Sequence, residues 1–300
     1  MTLPFLPSDA AMLALQAGVV AAPRAVTRPR ALERFMGRWW ALVPVGSIVA
    51  VIFAIRYASA TATGLTYLAL VAVPPLAAVA LAWAGRGPQG WPRVRLSAAI
   101  AVTGLLFALA AFEREALVGE GAAALLSALS CVTLGVLLAA VTPSGWLKVG
   151  IVAMAAADTW LVVSDLLQAP NATLIAAQPA AGLPRLQREA FGSVSMGYGD
   201  MFVAGLLGAV VAANRRTQWA AAVLTLLLAS AMDVLFLVLD ELPATVPVAV
   251  ALIVIEVVRV FRRRRARSRL PRTDRGMRPS QRWDGLPVAG RRARNRVKQP

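Results

Sequence analysis

The chain has 300 residues, 58% of them hydrophobic, with a mean hydropathy of +0.66 and a formal net charge of +16. That composition excludes a soluble globular domain, and the apolar residues fall in blocks of about 20, the length a helix needs to cross a bilayer. Histidine is absent and Cys131 is the one cysteine, which excludes histidine catalysis, histidine metal sites, an internal disulfide and a CxxC site.

The fold class read from the sequence is therefore all-α, a polytopic transmembrane helical bundle. A β-barrel would alternate apolar and polar residues in short segments, and this chain does not. Residues 1–38 form a weak N-terminal span and a basic loop. The apolar stretch 10–22 is short and lacks the basic start of a signal peptide, so it reads as a weak span or an interfacial helix. Residues 39–145 carry the N-terminal transmembrane helices: 39–55, with Trp39 and Trp40 as interface anchors, then 63–84, 97–112 and 122–141. Pro74 and Pro75 predict a kink in the second of these.

Residues 146–261 hold the chemistry. Span 146–168 contains Asp158 near its middle. The loop 169–195 follows, with three prolines and a β-compatible piece at 173–177. Spans 196–213, 218–239 and 243–261 complete the set. The count is eight spans, or nine with the N-terminal one. Residues 262–300 are a disordered basic tail, with 15 Lys and Arg against Asp274 and Asp284.

Loop charges alternate along the chain: basic at 23–38 and 86–95, acidic at 113–120, basic at 215–216, acidic at 240–241, then strongly basic. The positive-inside rule places the tail in the cytoplasm and the loop 169–195 outside. Together these features predict an integral protein of the cell membrane. The tail is a topology anchor that lies on anionic lipid. No aromatic platform accompanies its charge, so nucleic acid is not an expected partner.

Two aspartates stand out. Asp158 lies within one apolar run, and Asp200 opens the next within Gly197-Tyr198-Gly199-Asp200. A carboxylate in hydrocarbon is costly and marks a function. Two neighbouring carboxylates do not both ionise easily, so they share a proton, and one acts as base while the other acts as acid. Two glycines before Asp200 let the backbone bend and approach closely. Pro243-Ala244-Thr245 opens the last span. It reads either as an ordinary proline helix start or as a packing element beside the aspartates. Asp165, Asp233 and Glu256 are the remaining acids in or near spans. Asp233 lies deep in its span, and Glu256 can pair with Arg259 at i, i+3.

In these features the chain resembles the presenilin and signal peptide peptidase family of GxGD intramembrane aspartyl proteases. That family has nine spans, with the first Asp in the sixth, GxGD in the seventh and a Pro-Ala-Leu motif at the ninth. Counting the N-terminal span, Asp158, Gly197–Asp200 and Pro243–Thr245 fall in those places. The resemblance covers residues 146–261. It departs at Ala157, where the family usually has Tyr, and at Thr245, where it has Leu.

The resemblance implies an aspartic endopeptidase with Asp158 and Asp200 catalytic, and Gly197, Tyr198, Gly199, Pro243, Ala244 and Thr245 positioning substrate. The substrate would be a transmembrane helix or a remnant signal peptide, and the 169–195 loop would help hold it extended by strand addition. No cofactor and no metal are implied. The prepilin peptidases also use GxGD. They usually carry a lysine soon after it, where this chain has Met201-Phe202-Val203, and a first Asp further upstream than the 42 residues here (200 − 158). A proton- or ion-coupled transporter using Asp158, Asp200 and Asp233 as a relay is the alternative from another class.

Overall fold

The computed structural model describes residues 7–24, 58–84, 93–164, 173, 176–177, 179–180, 183–237 and 243–268. Among them are eight α-helices and one two-stranded hairpin. In chain order these are α1 (Pro7–Ala21), α2 (Ala58–Ala84), α3 (Arg93–Phe112), α4 (Leu117–Val141), α5 (Ser144–Val163), β1 (Arg188–Phe191), β2 (Val194–Gly197), α6 (Tyr198–Val211), α7 (Arg215–Asp233) and α8 (Val246–Ser268). A 3₁₀ turn, Val234–Leu237, extends α7. The expected span 39–55, the tail beyond residue 268, Asp165 and the acidic pair at 240–241 lie outside the described residues.

Three helices are long and apolar enough to cross a membrane: Ala62–Ala84 within α2, α4, and α5. Leu96–Phe112 and α6 are apolar but shorter. The molecule is thus predominantly helical with three helices of spanning length among the described residues. Pro74 and Pro75 lie inside α2, which runs through them as one helix.

Residues up to Val257 form one compact unit, and Val258 onward is a second, into which α8 continues as helix. The core of the first unit is built on α4, which packs against α2, α3 and α6. The α4–α6 contact is close because both partners lack side chains where they cross. A Cβ at Gly135 would lie 2.5 Å from the Gly205 carbonyl carbon, and one at Gly205 would lie 2.5 Å from the Cys131 carbonyl oxygen. Small residues allow this approach, and dispersion contacts between the backbones follow from it. Around the crossing Cys131, Met201, Val203, Ala204 and Leu207 are fully buried.

The weak N-terminal span is a 15-residue helix with Met12, Gln16, Val19 and Val20 buried. It packs against α6 and α7. Its last carbonyls would be unsatisfied at the helix end. Buried Gln218 of α7 donates to Val20 O (3.0 Å) and Pro23 O (2.8 Å), and Arg215 donates to Ala21 O. Asn214 caps α7 by accepting from the N–H groups of Arg216 and Thr217, an arrangement that suits its side chain at that position.

The Gly205 crossing makes a direct prediction. Gly205→Val overpacks a backbone contact and costs about 1–3 kcal/mol, read as a lower melting temperature of the detergent-solubilised protein. Gly150→Ala on α5 is the comparison. Nothing lies within 4 Å of its Cβ position, and alanine favours helix, so its melting temperature is expected to hold or rise.

Candidate active site

The segment before Asp200 is extended, not helical. The 169–195 loop returns along the bundle: Thr66 of α2 and Gln187 both donate to Ala177 O, and Ser127 of α4 donates to Leu186 O. Of the β-compatible piece at 173–177, Thr173, Ala176 and Ala177 are described; Thr173 and Ala176 are helical, and the Ala177 N–H donates to Thr173 O at 3.0 Å. The strands lie further on. β1 and β2 pair antiparallel with Glu189 opposite Met196 and Phe191 opposite Val194. The turn is Gly192-Ser193, and Gly192 has φ +61°, a conformation that glycine adopts without strain. Its N–H donates to Glu120 Oε2 (2.7 Å), and the Ser193 and Ser8 hydroxyls are 3.0 Å apart. The hairpin is thereby fastened to the starts of α4 and α1.

β2 ends at Gly197 and α6 begins at Tyr198, so the glycine motif is the junction between strand and helix. Gly197 has ordinary extended backbone, φ −71° and ψ 143°. Its lack of a side chain matters for another reason: a Cβ there would lie 3.0 Å from Asp200 Oδ2. Asp200 sits in the first turn of α6, and its Oδ2 accepts the Gly197 N–H at 3.1 Å. A carboxylate at a helix start also faces the positive end of the helix dipole. Gly199 is exposed with nothing within 4 Å of its Cβ position. Tyr198 places its hydroxyl 2.7 Å from Ser130 Oγ of α4, which ties the motif to the core helix.

Asp158 lies on α5, half-buried, and within electrostatic reach of Asp200. Its Oδ2 accepts a hydrogen bond from Thr245 Oγ1 at 2.6 Å. Thr245 is buried, one residue before α8. Pro243-Ala244-Thr245 is thus more than a helix start: its last residue touches the first aspartate. The segment is held from the other side by Gln16 of α1, whose Nε2 donates to Ala244 O at 3.1 Å. The structure therefore brings Asp158 and Thr245 into contact, with Asp200 within electrostatic reach of Asp158.

Asp233 sits elsewhere. Its electrostatic neighbour is Asp9 of α1, and its Oδ2 is buried without a hydrogen-bond partner among the described residues. Glu256 pairs with Lys148 of α5 at 2.8 Å. Among the described residues no group of three Cys, Asp or Glu side chains could hold a metal ion.

Sequence reasoning missed Gln16, Lys148 and Glu189. Glu189 is the most consequential, being fully buried on β1. Gly192-Ser193 between two short β-compatible runs is a hairpin signal, and the alternation it sets would have turned Glu189 and Phe191 to one face. No family model, curated protein or solved structure matches this chain.

The Lys148–Glu256 pair ties α5 to α8. Lys148→Glu alone leaves two like charges together and is expected to lower the melting temperature. The exchange Lys148→Glu with Glu256→Lys is expected to recover most of that loss, worth about 1 kcal/mol for a partly exposed pair. Melting curves of both single variants and the exchange check this.

Proposed function

We propose that the protein is a presenilin-like intramembrane aspartyl endopeptidase. The observation that carries the reading is the Thr245–Asp158 hydrogen bond. It links the third motif to the first aspartate, while the second aspartate stands within electrostatic reach. Three segments that are distant in sequence thus converge on one pair of carboxyls.

In this reading the dyad holds one proton and one water. The ionised carboxylate takes a proton from the water as the oxygen attacks the scissile carbonyl carbon. The protonated carboxyl gives its proton to the carbonyl oxygen, forming a gem-diol. Collapse of the diol breaks the C–N bond, the amide nitrogen takes a proton, and the products are a carboxyl and an amine. Thr245 fixes the Asp158 carboxyl through Oδ2 and leaves Oδ1 for the water. The Gly197 N–H does the same for Asp200. The substrate is a transmembrane helix or remnant signal peptide, unwound locally so that its carbonyl reaches the pair. The remaining spans of a nine-helix bundle and the anionic-lipid contact of the tail belong to the same proposal.

A transporter relay through Asp158, Asp200 and Asp233 finds less support. Asp233 is coupled to Asp9 and not to either of the other two. A prepilin-peptidase-like protease shares the dyad chemistry and differs in substrate, so cleavage of a transmembrane helix against a prepilin leader separates those two.

In proteoliposomes with a transmembrane substrate, Asp158→Asn or Asp200→Asn is expected to lower cleavage by about 10³-fold or more, with Asp233→Asn retaining it. Thr245→Val preserves shape and removes the hydrogen bond, and a loss of about 10- to 100-fold is expected from the misplaced carboxyl. Thr245→Ser is expected to restore most of it. Full activity of either Asp→Asn variant overturns the assignment, and substrate uptake without cleavage supports the transporter.

Orientation decides which substrates fit. The positive-inside rule puts the C-terminal tail in the cytoplasm, which favours substrates with a cytoplasmic N-terminus. With Cys131 replaced, a cysteine at Ala180 is expected to label from outside intact cells and one at Ser280 to be protected. The reverse pattern inverts both topology and substrate preference.

A further inference from the structure

Glu189 takes no part in the chemistry above, yet it is the most completely buried acid described. Its side chain is 0% exposed, and neither carboxyl oxygen has a hydrogen-bond partner among the described residues. Its own backbone N–H lies nearby without completing a hydrogen bond. The hairpin places it one strand from the glycine motif, with Met196 opposite on β2, which leads directly through Gly197 into α6. Phe191, on the same face of β1, rests on Gly121 of α4, so this face is turned toward that helix. The titratable groups within electrostatic reach of Glu189 are Cys131 from α4 and Tyr198 and Asp200 from α6. β2 carries none, and no described cation pairs with it.

We propose that Glu189 is a third carboxyl of the site, a positioning residue that stays uncharged and keeps the β1–β2 hairpin docked beside Asp200 only while it holds its proton. An ionised carboxylate with no partner cannot remain in that place at low cost. A neutral one can, and the protein environment favours it. Burial, followed by the neighbouring charge of Asp200, pushes the Glu189 carboxyl up from 4.5 to about 8. The coupling is reciprocal: a charge on the dyad holds the proton on Glu189, and that proton spares the dyad a further negative neighbour. Above this range Glu189 ionises, the hairpin loses its seat and Asp200 loses its supporting strand. The role rests on the protease reading, but the state of the side chain does not.

The sign of the pH effect follows. Between the ordinary glutamate value and about 8, the folded protein keeps a proton that the unfolded chain has lost. Stability therefore falls as pH rises through that window and levels off above it. Glu189→Gln has no proton to lose. Melting temperatures of full-length wild type and Glu189→Gln are expected to agree most closely at pH 5 and to diverge by pH 8, with the variant higher. Asp200→Asn removes the neighbouring charge and is expected to narrow that divergence when the pair is repeated in its background. In the cleavage assay the alkaline fall in rate is expected to move up by about one pH unit in Glu189→Gln, with the acid limb unmoved. Parallel melting curves from pH 5 to 8, or an unmoved alkaline limb, overturn the proposal. Should the wild type fail to cleave, the protease reading fails while the melting curves still decide Glu189. Should Glu189→Gln fail to fold, infrared titration of wild-type protein labelled with [13C]glutamate decides it. A protonated glutamate band present at pH 7 and lost near pH 8 is expected, and its absence at pH 7 overturns the proposal.

Discussion

A carboxyl that leaves water must be paired, hydrogen-bonded or kept neutral, and the polar architecture of this bundle follows from that constraint. Its acids meet it in different ways. Glu256 is paired with Lys148. Asp200 accepts a backbone N–H at a helix start, and Asp158 accepts the Thr245 hydroxyl. Glu189 has no hydrogen-bond partner among the described residues and is left to carry its proton. The first solution is structural. The others gather on one junction of α5, α6, the hairpin and the start of α8.

Precision at that junction comes from residues with little side chain. Gly135, Gly205 and Gly208 let α4, α6 and α1 approach until backbone meets backbone. This fixes α6, and with it Asp200, to the best-packed part of the molecule. The Ser130–Tyr198 contact then locks the strand-to-helix junction to α4. Apolar helices in a bilayer gain no hydrophobic driving force from meeting each other, so close packing and polar ties bring them together. Glycine crossings and hydroxyl bonds are the two devices seen here.

Much of this was legible in the sequence and some was not, for identifiable reasons. Asp158 and Asp200 announce themselves because charge is rare in apolar runs, and Thr245 was legible as part of a motif without its contact being so. The value of Gly197 was misread: it gives room to a carboxyl, whereas a bend at the backbone was expected. Glu189 was legible only through the Gly192-Ser193 turn signal, because the loop around it, with Arg185, Gln187 and Arg188, has the composition of solvated chain. That turn puts Glu189 and Phe191 on one face, and tertiary folding decides that this face is the buried one. Gln16 was hidden for a related reason, since one amide in a weakly apolar helix gives no hint that it bonds a carbonyl 228 residues away.

The two halves of the carboxyl pair are held differently. Asp200 belongs to α6, whose Met201, Val203, Leu206 and Leu207 are buried. Asp158 belongs to α5, which buries only Leu147, Ile151 and Ala155 and leaves Trp146, Val149, Trp160 and Val163 largely exposed. An apolar face of that kind suits lipid, and α5 packs on α6 through its narrow buried face. What positions it are polar ties at both ends, Lys148 to Glu256 and Asp158 to Thr245. One carboxyl is thus fixed by packing, and the other is set by hydrogen bonds. The Asp158 carboxyl is therefore held by Thr245, and the segment that carries Thr245 is held in turn by the Gln16 bond to Ala244.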